Sequence, residues 1–338
     1  MNAGFGDMSS RLVLQRQSKA LRQTTATLAQ EVTTGQVQDK ARHLQGELSG
    51  LAAIDRIISR AASRSVIGQS MASILSAQQQ SITALRDSVQ GGFDDLLSLK
   101  QAPNALQSAR SLAMMETRFE DMVAVLNTSF GDRFVFSGVR AESPAVANAS
   151  TLLDALVNDI TTASPALSSA QEVSDFIDSW FAKDGGFDAI GYTGGEAIPA
   201  AQQLTSGISE RISVTAQHEA LRQTFAAFAK GAVLSRGVFE GTSTKHSELT
   251  KLTLSALANA RPALVQLAAE IGTSEERVSR AITQNEAERY AMKIARADML
   301  GADPYDRASR LEQAMLQQEM IYSLTARLSR LTLSDFLR

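Results

Sequence analysis

The sequence predicts a mainly α protein: a long helical rod or coiled-coil bundle built from both chain ends, with a small mixed α+β domain inserted. Two observations support this prediction. No proline occurs before residue 103 of the 338 residues, which favours long uninterrupted helices because proline breaks the interior of a helix. Aromatic residues supply only 5% of the chain, although hydrophobic residues make up 44%. Such a composition suits thin layers between helices better than a thick globular centre.

The first helix is predicted from about residue 9 to residue 34, with Gly35 as its stop. Leu14, Leu21 and Leu28 recur every seven residues, which is the heptad spacing of a coiled coil. The positions between them are polar, so the contact line of this helix is only half apolar. Such a helix needs a packing partner for its stability.

Two further helices are predicted over about 48–99 and 105–129, with Pro103 at the turn between them. Their apolar positions alternate in steps of three and four, which indicates that each packs against a partner helix. The next segment, residues 133–138 (RFVFSG), predicts a short strand with both phenylalanine rings on one face.

The character of the sequence changes between residues 140 and 240, where six basic and twelve acidic residues give a net charge of −6. Residues 151–160 and 216–228 predict short helices, and residues 212–215 predict a strand. We therefore predict three domains: a terminal coiled-coil domain of 1–47 with 285–338, a helical rod domain of 48–139 with 241–284, and an inserted variable α+β domain of 140–240.

The helical pattern returns at about residue 243 and continues to the end of the chain. Pro262 predicts a kink or a helix start, and Thr273 has the capping-box spacing to Glu276. Asp303 followed by a proline predicts the N-cap of a terminal helix. That helix has the same half-polar heptad pattern as the first one, so we expect the two chain ends to pair. Its predicted contact line steps through Leu311, Met315, Gln318, Tyr322 and Thr325.

The composition excludes several function classes. The chain has no cysteine, which rules out disulfides, zinc–thiolate sites, iron–sulfur clusters and a cysteine nucleophile. A net charge of −3 gives no reason to expect nucleic-acid binding, and no apolar run approaches the roughly 20 residues of a membrane-spanning helix. The start of the sequence shows no Sec signal peptide, and its basic, acid-poor character leaves a mitochondrial presequence as an alternative.

No catalytic, cofactor-binding or metal site is predicted. His43, His218 and His246 lie far apart without ligand spacing, so we expect solvent or capping roles for them. The glycine cluster of residues 185–195 matches neither a dinucleotide-binding fingerprint nor a P-loop, and it predicts a turn-rich surface loop. An enzyme with its site in the 140–240 domain remains an alternative hypothesis. That glycine cluster and Trp180 are its only support.

Both ends of the chain resemble the bacterial flagellin-like family. Residues 28–35 (LAQEVTTG) are similar to the end of its N-terminal helix, and residues 328–337 (LSRLTLSDFL) are similar to the end of its closing helix. Residues 134–138 (FVFSG) resemble the aromatic segment of the family's hook-associated protein 3 members. The family's usual run of two aspartates and a proline after the first glycine is absent, and residues 37–40 stand there instead. This difference argues against flagellin itself.

The resemblance implies a non-enzymatic structural subunit of the bacterial flagellum, an adaptor that joins the hook-associated ring to the flagellin filament. The alternative is flagellin itself. The resemblance also implies an extracellular place at the hook–filament junction, reached by flagellar type III export without a cleaved signal peptide. Implied partners are further copies of the chain in a ring, hook-associated protein 1, flagellin and a cytosolic export chaperone, with no nucleic acid, no membrane insertion and no cofactor.

Subunit contacts are expected at ten residues of the two terminal helices. These are Leu14, Leu21, Leu28, Leu311, Met315, Tyr322, Leu328, Leu331, Leu333 and Phe336.

Overall fold

The structure, a computed structural model, describes residues 3–101, 105–163, 167–195 and 199–336. These residues are mainly α-helical with a few short strands, which confirms the predicted fold class. The chain divides into two compact units: unit 1 comprises residues 1–62 and 287–338, and unit 2 comprises residues 63–286. The finer division into three domains stays a prediction. No helix of the described ranges is long and apolar enough to cross a membrane.

The elements of the described residues follow the chain in this order. The helices are α1 (Ala3–Thr34), α2 (Lys40–His43), α3 (Ser49–Gln101), α4 (Ala105–Leu126), α5 (Ala149–Ala163), α6 (Ala170–Phe181), α7 (Glu219–Ser235), α8 (Ser243–Leu300) and α9 (Pro304–Phe336). The strands form two antiparallel pairs, β1 (Ser129–Phe130) with β2 (Arg133–Phe134), and β3 (Gln202–Gln203) with β4 (Ser209–Glu210). A π-helical turn covers Phe187–Gly191.

In unit 1, α1 and α9 pack against each other as an antiparallel pair. Helix α1 ends at Gly35, whose φ of +66° is a left-handed conformation that glycine adopts without strain. Helix α9 begins after Asp303, whose Oδ1 accepts hydrogen bonds from the backbone N–H groups of Tyr305 at 2.9 Å and Asp306 at 3.3 Å. Both helix boundaries were predicted from the sequence and are confirmed.

Unit 2 is organised around α7, which packs against α4, α5 and α6. Nearly all of α7 is buried, including Phe225 and Phe228. One hydrophobic core joins α7 to residues of α3, α4 and α8. The segment 140–240 therefore shares its core with the helices that precede and follow it.

Gln78 of α3 explains why two predicted strands are shorter than expected or absent. Its side-chain Nε2 donates hydrogen bonds to the backbone oxygens of Val135 at 2.7 Å and Val214 at 3.0 Å. These carbonyl groups thus bond to a buried amide instead of to a neighbouring strand. The predicted strand over 133–138 is limited to residues 133–134, and no strand forms at 212–215.

The predicted helix start near residues 262–276 is also wrong, because α8 runs without interruption from residue 243 to residue 300. Pro262 lies on the exposed side of α8, where water can satisfy the backbone carbonyl that its ring leaves without a donor. Thr273 does not cap a helix; its hydroxyl donates to the backbone oxygen of Glu270 at 2.7 Å.

Candidate subunit interface

The contact line between α1 and α9, which we call the seam, combines apolar and polar positions. On α1 its half-buried and buried side chains step by four and three through Leu14, Ser18, Leu21, Thr25, Leu28 and Val32. On α9 they step through Arg307, Leu311, Ala314, Gln318 and Ile321. Even the best buried apolar positions of the two helices, Leu28 and Ala314, stay 8% and 5% exposed. The predicted half-polar character of the pair is therefore present.

Most of the ten predicted contact residues can be placed on this pair. Leu14, Leu21, Leu28 and Leu311 lie in the seam. The remaining residues of α9 fall into two groups: Met315 and Tyr322 are 56% and 44% exposed, while the side chains of Leu328, Leu331, Leu333 and Phe336 lie outside the described residues. The predicted course of the seam on α9 is wrong at Met315, Tyr322 and Thr325, which are exposed; Ala314 and Ile321 take the places of the first two. Whether the ten residues carry subunit contacts stays a prediction.

Tyr322 contacts α1 from the edge of the seam. Its hydroxyl oxygen accepts hydrogen bonds from Nε of Arg22 at 2.8 Å and from Nε2 of Gln318 at 3.1 Å. The guanidinium of Arg22 also lies 5.4 Å from the centre of the tyrosine ring. Hydrogen bonds from Gln318 and Arg22 lower the pKa of Tyr322, because they stabilise its ionised form. These exposed contacts orient the helices more than they stabilise them.

At the base of the pair, residues 35–38 and 300–302 are joined by backbone hydrogen bonds. The N–H of Val37 donates to the oxygen of Leu300 at 3.0 Å, and the N–H of Ala302 donates to the oxygen of Gly35 at 3.0 Å. Val37 and Leu300 also form a small buried cluster with Leu51. Unit 1 therefore has a small core of its own at this base.

A buried carboxylate joins the base to both terminal helices. Glu31 is only 5% exposed. Its Oε1 accepts a hydrogen bond from the N–H of Gln38 at 2.8 Å, and its Oε2 lies 3.3 Å from Nη1 of Arg307. Because a buried charge is costly unless it is paired, this arrangement holds the start of α9 to the end of α1.

Large apolar side chains remain uncovered on the pair beyond the base. They include Leu12 and Val13 on α1, and Met315, Leu316, Met320 and Leu324 on α9. Monomeric soluble proteins rarely leave contiguous apolar surface of this kind uncovered, and such surface marks sites of protein–protein contact. The pair is thus the candidate subunit interface.

The features that supported an enzyme in the 140–240 segment have structural explanations. A Cβ atom on Gly186 would lie 2.1 Å from Nε1 of Trp180, so this glycine permits a close approach to the buried indole. The indole Nε1–H donates to Oδ2 of Asp159 at 2.9 Å. The glycine cluster is therefore a tightly packed turn, which corrects the predicted surface loop. His218 caps α7, since its Nδ1 accepts from the N–H of Ala220 at 3.3 Å.

Two cations of this segment are buried and paired: Lys230, whose Nζ lies 2.7 Å from Oδ2 of Asp178, and Arg222. The Arg222 guanidinium donates to Oδ1 of Asp188 at 2.5 Å and to the backbone oxygens of Phe181 and Ala182 at 3.1 Å. Burial opposes the ionisation of Asp188, but the hydrogen bonds from Arg222, Asp184 and Gln217 outweigh it and lower the pKa of this carboxyl. The ion pair joins α7 to the π-helical turn, and the two backbone hydrogen bonds join α7 to the end of α6.

The fold and the paired chain ends together define a mainly α protein whose first and last helices complete one unit. Within that class, residues 254–337 match the family model of the bacterial flagellin C-terminal helical region. This part of the chain, which includes α9, is therefore similar to a flagellin C-terminal region, and the resemblance at this end of the sequence is confirmed.

Two solved structures are similar to the chain. One is of a flagellar hook-associated protein from Vibrio parahaemolyticus, with 12% sequence identity and a TM-score of 0.51, covering 74% of this chain and 95% of that one. The other is of Bacillus cereus FlgL, with 12% identity and a TM-score of 0.48, covering 72% and 98%. At this identity the first likeness shows the fold alone. No curated protein sequence matches the chain.

Proposed function

We propose that this chain is a non-enzymatic structural subunit of the bacterial flagellum, and specifically an adaptor between the hook-associated ring and the flagellin filament. The observation that carries the proposal is the α1–α9 pair: the flagellin-type C-terminal region packs against α1 through a half-polar seam, and apolar side chains beside it stay uncovered. A pair of this kind is completed by neighbouring subunits, because association adds the burial that one copy lacks.

The proposal includes the partners and the place. Further copies of the chain would form a ring, with hook-associated protein 1 on one side and flagellin on the other. Export would follow the flagellar type III route with help from a cytosolic chaperone, and the ten residues from Leu14 to Phe336 would carry subunit contacts.

The alternative is that the chain is flagellin itself, which the match to the flagellin C-terminal region favours. The FVFSG segment at residues 134–138 and the likeness to a hook-associated fold support the adaptor instead. The number of copies separates the two, since a junction ring needs few subunits and a filament needs thousands.

The test is removal of residues 304–338, which include all of α9, from the chromosomal copy. We expect hooks without filaments under the electron microscope and unattached flagellin in the medium, because the filament has no adaptor to attach to on the hook. Normal filaments on these cells would refute the proposal. If the medium lacks the main filament protein while another hook-associated ring persists on the hooks, the result would favour the alternative that this chain is flagellin. Secretion of the truncated chain, measured by immunoblot of the medium, controls for export.

A further inference from the structure

Unit 2 carries a largely apolar groove between α3 and the segments 133–141 and 199–214. We call it the α3 groove, and it encloses about 330 Å³. On the α3 side its lining includes Val66 and Ile67, which are 66% and 37% exposed. A concave, mostly apolar surface with a few polar groups is the usual form of a binding site in a protein.

The floor of the α3 groove is fixed by hydrogen bonds. Its buried residues Val135 and Val214 accept hydrogen bonds at their backbone oxygens from Nε2 of Gln78, at 2.7 Å and 3.0 Å. The N–H of Ala216 donates to the backbone oxygen of Phe136 at 3.0 Å. The two segments are thus tied to each other and to α3. A partner therefore meets a groove that is already formed, which lowers the ordering cost of binding.

Two cations without a partner accompany the apolar lining. Arg133 and Arg211 line the groove, and both residues are exposed. Neither guanidinium takes part in an ion pair or a hydrogen bond within the described part of the chain. Among the described residues that line the groove, none carries a carboxylate. The groove is therefore complementary to apolar groups that are accompanied by negative charge.

Apolar surface continues beyond the groove. Val139 follows the lining residue Gly138 and is 52% exposed, and Phe130 pairs with Arg133 in the β1–β2 hairpin and is 49% exposed. A small amphiphile that filled the groove would leave these side chains uncovered, whereas exposed apolar surface of this kind marks protein–protein contact. Along α3 the groove extends over residues 66–74, about 12 Å. This length matches about two turns of a helix or about four residues of an extended chain.

We propose that the α3 groove binds a short segment of a different protein, in which large apolar side chains are flanked by carboxylates. The apolar side chains cover Val66 and Ile67, and the carboxylates pair with Arg133 and Arg211. The chemistry of the segment follows from unit 2 alone. The choice of a different protein rests on the proposed function, in which the terminal pair already joins the copies of the chain to one another.

Selection from random dodecapeptides displayed on phage tests this chemistry with the purified full chain. The library is bound to the immobilised chain after depletion on R133E/R211E, and the retained peptides are sequenced. We expect the enriched peptides to combine large apolar residues with aspartate or glutamate. Enriched peptides without carboxylates would overturn the proposal, and so would the absence of any peptide that the natural chain retains better than R133E/R211E does.

The contribution of charge is measured by fluorescence anisotropy with a labelled synthetic copy of the most enriched peptide. R133E/R211E should weaken its binding by about tenfold. The matched control is R86E/R110E, which changes the net charge equally at exposed positions of α3 and α4 and should leave the affinity within about twofold. Equal losses in the two double variants would overturn the proposal, because they would assign the effect to net charge. Thermal unfolding of each variant confirms that it is folded.

The apolar contact and the identity of the occupant complete the test. V66S should weaken binding of the same peptide by about fivefold, while V265S, at a valine of α8 that is 49% exposed, should leave it within about twofold. Equal losses in both would overturn the proposal. Sedimentation that shows self-association lost in R133E/R211E would overturn it in favour of a second copy. Displacement of the peptide by dodecanoate that binds more tightly would overturn it in favour of a small amphiphile. The deletion of residues 304–338 tests the proposed function separately from all these outcomes.

Discussion

Replacement of Glu31 by glutamine should selectively open the base of the terminal pair. The change keeps the shape of the side chain but removes the negative charge that pairs with Arg307 at 3.3 Å. Hydrogen bonds to charged groups contribute about 1.5–3 kcal/mol. The Arg307 side chain is 21% exposed, and Asp306 lies 3.8 Å from its Nε. Water and Asp306 therefore compensate in part, and we expect a loss of about 2 kcal/mol.

Hydrogen exchange of backbone amides measures this loss at the place where it arises. The N–H groups of Val37, Gln38 and Ala302 are bonded across the base, so in E31Q they should exchange about 30-fold faster, the factor that corresponds to about 2 kcal/mol. R310Q is the matched control. It breaks the exposed pair of Arg310 with Asp306, for which about 0.5 kcal/mol or less is expected. Unchanged exchange at Val37 in E31Q, or an equal effect of R310Q, would refute the reasoning.

Three predictions concern unit 2. F225A should destabilise the unit by about 3–5 kcal/mol in chemical denaturation and F225L by less than about 1.5 kcal/mol, because Phe225 is fully buried. G186A should cost about 1–3 kcal/mol and alter Trp180 fluorescence, since the new methyl meets the indole. The lowered pKa of Asp188 contributes stability that is present above about pH 5 and is lost as the pH falls through that pKa. D188N should therefore flatten the acid dependence of unfolding. An unchanged acid slope would contradict this assignment.

The terminal helices could be predicted from the sequence because their signals are local. Leu14, Leu21 and Leu28 keep a heptad spacing, and Gly35 and Asp303 have the backbone and capping chemistry that ends and starts helices. Each of these features depends on residues within one or two turns. As predicted, α1 ends just before Gly35 and α9 begins just after Asp303.

The course of the seam on α9 could not be predicted, because two apolar lines run along the same helix. Met315 and Tyr322 fit the heptad steps as well as Ala314 and Ile321 do, and larger side chains are the more obvious choice. In the structure the small Ala314 is 5% exposed while Met315 is 56% exposed. A small residue lets two helices approach closely, and this advantage depends on the partner helix rather than on the local sequence.

Other elements were missed where distant residues decide the structure. The strand predicted at 212–215 is replaced by a bond to Gln78, which lies 136 positions before Val214. Helix α6, by contrast, was missed although its signal is local. Ser169 accepts a hydrogen bond from the N–H of Glu172, and the Glu172 carboxylate accepts one from the N–H of Ser169. This capping box is readable in the sequence at the required spacing.

The ordered base and the weaker seam together suggest how the terminal pair can serve assembly. Beyond the base, half-buried polar residues such as Ser18, Thr25 and Gln318 stand between the leucines of the seam, so these turns gain little from pairing within one copy. The base sets the register because it holds Val37 and Glu31 against α9 and the residues before it. Subunits that then pack on the uncovered apolar rows stabilise a register that already exists. E31Q should therefore reduce filament attachment in cells more than R310Q does. Equal attachment by the two variants would show that assembly does not depend on the base.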